Sequence, residues 1–160
     1  MREQTGFIDK EVFFKSMKAD SLVLALVAVI ICLMVVGFES GTPVRHAIQV
    51  CPAVLALLLA WMRHPWGAAA SLPLFLFWMA ISVLIWLHQL KIAHVITGKF
   101  TLTEIIITVV IFIAGLAGSD WSWRGARPMK AAGRVLLFLL FAALQWGALQ
   151  LSRQPQFAHR

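Results

Sequence analysis

The sequence predicts an all-α protein: a polytopic transmembrane helical bundle of about five spans with short loops and a short N-terminal interfacial helix. Three observations carry this. Hydrophobic residues fill 61% of the 160 positions and charged residues 13%, at a mean hydropathy of +0.84, which is more apolar surface than a water-soluble domain of this size can cover. Apolar runs recur at close to the ~20 residues a helix needs to cross a hydrocarbon core of ~30 Å. The polar and charged residues collect in the brief intervals between those runs.

Residues 1–20 hold Arg2, Glu3, Asp9, Lys10, Glu11, Lys15, Lys18 and Asp20. A secretory leader has a short, purely basic head, so the first span is expected to act as an uncleaved anchor. Within this segment, residues 7–18 gather Glu11, Lys15 and Lys18 in one narrow sector of a helical wheel. Ile8, Val12, Phe13, Phe14 and Met17 spread over much of the rest, and Asp9 and Lys10 interrupt them. A helix lying in the inner interface follows from that pattern.

The first span, 21–38, and the third, 67–87, contain no charged residue. The second, 44–62, becomes continuously apolar only at Val50, after Arg45, His46 and Gln49. A full crossing there requires Arg45 to snorkel to the interface; the alternative is a tilted or re-entrant segment. Spans four and five fall at 102–118 and 131–151, and 152–160 forms a polar tail. Short loops between spans imply antiparallel hairpins, and no linker or repeat divides the chain.

Orientation follows the basic residues. With the N-terminus inside, the inner side receives Arg2, Lys10, Lys15, Lys18, Arg63, Arg124, Arg127, Lys130 and Arg134, nine of the fourteen Lys and Arg. The outer side receives Arg45, Lys91, Lys99, Arg153 and Arg160, which satisfies the positive-inside rule. Trp61, Trp66, Trp121 and Trp123 fall at the inner interface, where an indole is comfortable. A bacterial inner membrane with a cytoplasmic N-terminus is the expected setting. The net charge of +7 is thereby assigned to lipid head groups, so membrane lipid is an expected partner and nucleic acid is not.

Few residues carry chemistry. Thr101-Leu-Thr-Glu104 reads as a capping box opening the fourth span. Glu39, His46, His88, His94 and Glu104 share the outer side. His46 and His88, at the ends of spans two and three, are the pair that would ligate a haem b iron or, with carboxylates, a divalent metal. The plainer reading makes them interfacial side chains with a polar tip. No close-spaced histidine or cysteine motif accompanies them, so no metal site is assigned and no cofactor is expected. Cys32 and Cys51 both lie ~9 to 10 Å below the outer interface on adjacent helices; packing as small hydrophobes is the expected role of each, with a disulfide or redox pair as the alternative. Pro52 and Pro73 are candidate kinks.

Signals for helix association are richer. Ala56 and Ala60, Ala114 and Gly118, and Ala143 and Gly147 form three small-xxx-small steps, which let helices approach closely. Gln145 and Gln150 in the last span are amides that need partners in hydrocarbon. No nucleophile set, catalytic carboxylate pair or nucleotide-binding glycine loop is present, so an enzyme is not expected. These features favour a non-catalytic accessory or scaffold subunit that packs against another integral membrane protein. A haem- or quinone-binding redox anchor and an oligomeric transporter or channel component are the alternatives.

Overall fold

The computed structural model describes residues 3–93 and 100–158, with side chains described for 20–93 and 100–157. His94, His159 and the side chains of the 7–18 amphipathic face lie outside the described residues.

Among the described residues six helices follow one another: α1 (Glu3–Glu39), α2 (Pro43–Trp61), α3 (Pro65–Gln89), α4 (Leu102–Gly125), α5 (Ala131–Ser152) and the short α6 (Pro155–Ala158). Five are long and apolar enough to cross a membrane, over Asp20–Glu39, Pro43–Trp61, Pro65–Gln89, Leu102–Gly125 and Ala131–Ser152. The chain is a helical bundle with no strand among the described residues. The second segment is one helix of 19 residues, about 28 Å long at helical rise, which is the length of a full crossing and not of a re-entrant turn.

Two boundaries differ from those expected. The interfacial helix is not a separate element, because α1 runs 37 residues without a break. No glycine or proline occurs from residue 7 to residue 36, so polarity changes at Asp20 while helix propensity does not. Helix α4 continues past 118 to Gly125, where the exposed Asp120 and Arg124 pair one turn apart at 2.9 Å. Polar residues there leave the hydrocarbon without leaving the helix.

The loops are made by helix ends. Helices α1, α2 and α3 each terminate in a left-handed residue, Gly41 (φ 68°), Arg63 (φ 54°) and Lys91 (φ 58°). In each case paired backbone bonds, such as His64 N to Leu59 O and Arg63 N to Ala60 O, close a Schellman motif. Pro43 and Pro65 then start α2 and α3, where a missing N–H has no helical acceptor to lose. Reversals this tight enforce the antiparallel order.

Helices α1 to α4 close a ring, with contacts α1–α2, α2–α3, α3–α4 and α4–α1; α5 lies outside it, against α2 and α3. The ring encloses Leu22, Leu26, Val29 and Leu33 of α1, Val50 and Ala53 of α2, Leu74, Phe75 and Trp78 of α3, and Ile111 of α4. Half of the apolar window of α3 is buried but only 17% of that of α5, so α3 is the central helix and α5 the peripheral one. One end of the bundle, the basic end, gathers Asp20, Arg63, Arg124, Arg127, Lys130 and Arg134; the other gathers Glu39, Arg45, His46, His88 and Glu104.

Candidate functional site

The residues expected to drive helix packing divide into two sets. Gly118 faces inward: a Cβ there would sit 2.5 and 2.7 Å from the Cε2 and Cε1 atoms of the buried Phe75 ring on α3. Ala114, one turn earlier, also packs against the core. The step Ala56/Ala60 is likewise internal, both residues being buried, and a Cβ on Gly67 would run into the backbone of Leu59 and Ala60. Small residues thus bring α2 to α3 and α3 to α4 at close range.

Gln145 is internal as well. It is fully buried, and its Nε2 donates to the backbone carbonyl of Gln49 at 3.2 Å. The buried Gln49 side chain in turn donates through Nε2 to Ser152 Oγ at 2.8 Å, and Ser152 Oγ donates to Leu149 O at 2.7 Å. This relay ties α5 to α2 at the end opposite the basic one. Pro52 on α2 has no N–H to offer the carbonyl one turn back, which loosens that turn; the Gln49 carbonyl lies within it. Gln145 Oε1 is buried with no hydrogen-bond partner among the described residues. The signal for Gln49 was visible as a polar residue at the start of span two, although the sequence did not pair it with Gln145.

Ala143, Gly147 and Gln150 point the other way. All three are exposed on the outer face of α5, and no atom of the described residues lies within 4 Å of a Cβ at Gly147. Around them are Leu136, Leu139, Leu140, Leu144 and Trp146, each also exposed. The same face of α5 thus carries a small-residue step, an amide and an apolar border without a neighbour among the described residues.

At the end opposite the basic one, the capping box is present in full. Thr101 Oγ1 accepts from Glu104 N at 3.2 Å and Glu104 Oε2 accepts from Thr101 N at 2.7 Å. Thr101 Oγ1 also donates to Glu39 Oε1 at 3.3 Å, linking α4 to the end of α1. His46 packs on α1, where a Cβ on Gly37 would lie 2.7 Å from His46 Cβ, and its Nδ1 sits 3.1 Å from Thr42 O. The His88 ring meets Phe100 edge-on at 6.0 Å between centroids. Of the two histidines that the haem alternative would pair, His46 of α2 packs on α1 and the His88 ring faces Phe100, just ahead of α4. No group of three metal-ligating side chains is gathered among the described residues. Cys32 and Cys51 are both free; Cys51 is exposed and donates to Ala47 O, while Cys32 is half-buried.

Compared with protein-family models, with curated protein sequences and with solved structures, the chain matches none. Function must be argued from these faces alone.

Proposed function

We propose that the chain is a non-catalytic accessory or scaffold subunit of a larger integral membrane complex, docked on its partner through the outer face of α5. The observation that supports this is the glycine pattern. Gly37, Gly67, Gly115, Gly118 and Gly125, in or at the ends of the spans, each face a neighbouring helix so closely that a Cβ would fall within 3 Å of it. Gly133, in the first turn of α5, has only Met129 Cε at 3.7 Å, and Gly147 sits mid-helix with no atom of the described residues within 4 Å of a Cβ. A glycine in a span contributes no apolar side chain to lipid contact, and its use is to let another backbone approach. With Ala143 one turn before it and Gln150 one turn after, Gly147 offers that approach to a helix outside the chain.

The setting proposed is a bacterial inner membrane with the N-terminus cytoplasmic, on the strength of the basic residues and exposed tryptophans at one end of the bundle. The experiment is isolation of the intact protein in mild detergent and native lipid discs, with mass spectrometry of the complex. Wild-type protein is expected to carry an integral membrane partner, and Gly147→Leu to lose it while inserting and expressing normally. Because nothing surrounds Gly147 among the described residues, such a loss reports on the partner contact. A wild-type protein that runs as a lone monomer in every mild condition refutes the reading.

A further inference from the structure

A cleft of about 450 Å³ lies between the end of α4 and the start of α5, over α3; Ala69, Leu76, Trp123, Arg134, Val135 and Phe138 contribute to its wall. That volume is in the ~300–1,000 Å³ range of ligand clefts. Ala69 is four residues and Leu76 eleven residues from the start of α3 at Pro65. At helical rise the cleft therefore runs from ~6 Å inside the basic end to ~16 Å, close to the middle of the bilayer. Its depth is that of one leaflet.

The mouth of this apolar slot is cationic. Arg134, three residues into α5, lines it, and Arg134 makes no ion pair among the described residues. Exposed Arg127 and Lys130 lie on the loop just before α5, and the nearest carboxylate in sequence, Asp120, is already engaged by Arg124. Three cations without a carboxylate thus stand where head groups lie, above an apolar channel one leaflet deep. We propose that the cleft holds an acyl chain of one anionic phospholipid from the leaflet at the basic end, with the lipid phosphate on the Arg134 guanidinium. Arginine suits this because its planar fork binds phosphate oxygens in pairs. The proposal is independent of any protein partner at Gly147, which lies in the half of α5 away from the cleft.

The test uses the intact protein in lipid discs made of equal parts phosphatidylglycerol and phosphatidylcholine with identical acyl chains, with native mass spectrometry counting the lipid retained on release. One phosphatidylglycerol per chain is expected, favoured over phosphatidylcholine by about fivefold or more. Arg134→Gln should abolish the preference and Arg134→Lys largely keep it. Val135→Trp, which fills the slot and leaves the guanidinium in place, should abolish retention; Arg153→Gln, at the other end of the bundle, should change nothing. A wild-type protein without preference overturns the site, as does a preference that survives Arg134→Gln. Undiminished retention by Val135→Trp would mean that surface charge alone attracts the lipid, and equal loss in Arg153→Gln would mean the same; either overturns the cleft.

Discussion

Gly118 and Gly147 permit one substitution to be tried in two opposite environments. Both are mid-helix glycines and both close a small-xxx-small step, but a methyl added at Gly118 meets the rigid ring of Phe75, which is 1% exposed, while a methyl at Gly147 meets nothing. In a bilayer or in detergent the unfolded reference state keeps its spans helical, so the usual helix-propensity gain of Gly→Ala largely cancels. What remains is packing. Gly118→Ala forces Phe75 or the whole of α4 to move, an overpacking that costs about 1–3 kcal/mol. Gly147→Ala should stay within about 0.5 kcal/mol of wild type, as a substitution without neighbours does. The assay is reversible unfolding of the purified monomer in mixed micelles, titrated with denaturing detergent and followed by tryptophan fluorescence. Equal destabilisation by the two variants would refute the assignment of one glycine to the ring of helices and the other to the outer face.

Three further outcomes are expected. Gln145→Leu removes the interhelical hydrogen bond to the Gln49 carbonyl and should lower stability by about 1 kcal/mol; unchanged or higher stability on unfolding would remove Gln145 from the fastening of α5. For topology in a cysteine-free background, Arg127→Cys and Gln156→Cys, both exposed positions, should label on opposite sides with an impermeant thiol reagent, with Gln156→Cys reached from outside intact cells; equal labelling from outside overturns five spans with the N-terminus in. Absorption spectra of the purified protein should lack a Soret band, since histidines at span ends are accounted for as interfacial side chains with a polar tip; a band lost in both His46→Ala and His88→Ala would replace the packing reading with a redox one.

The spans were legible in the sequence because length and hydropathy decide membrane insertion almost residue by residue. At Asp20 and beyond Gly118 the edge of the hydrocarbon is not the edge of the helix, since α1 and α4 continue through it. The capping box at Thr101 and Glu104 was legible because its chemistry is local. The division of the small-xxx-small steps was not. Gly118 and Gly147 are written identically in the sequence, and only the placement of Phe75 opposite one of them separates an internal contact from an open one. Ser122 illustrates the same limit: it lies among the polar residues closing α4, yet it is fully buried.

The placement of α5 links the two proposed surfaces. In hydrocarbon no hydrophobic force presses a fifth helix onto a finished ring, so α5 needs specific fastenings. At one end the Gln49, Gln145 and Ser152 relay supplies them, and it is polar, short and buried. At the basic end the counterpart is the cleft, where α5 stands away from α4 and only α3 lies beneath. A lipid chain held there by Arg134 would fill the gap between α4 and α5 and act as the second fastening. It follows that displacing the lipid chain with Val135→Trp should leave the relay end in place, while Gln49→Leu should loosen the half of α5 that carries Ala143, Gly147 and Gln150. Hydrogen exchange along α5 separates the two: faster exchange confined to the 143–150 segment in Gln49→Leu supports this division of labour. Uniform acceleration along the whole helix would mean that α5 is held as a single rigid rod.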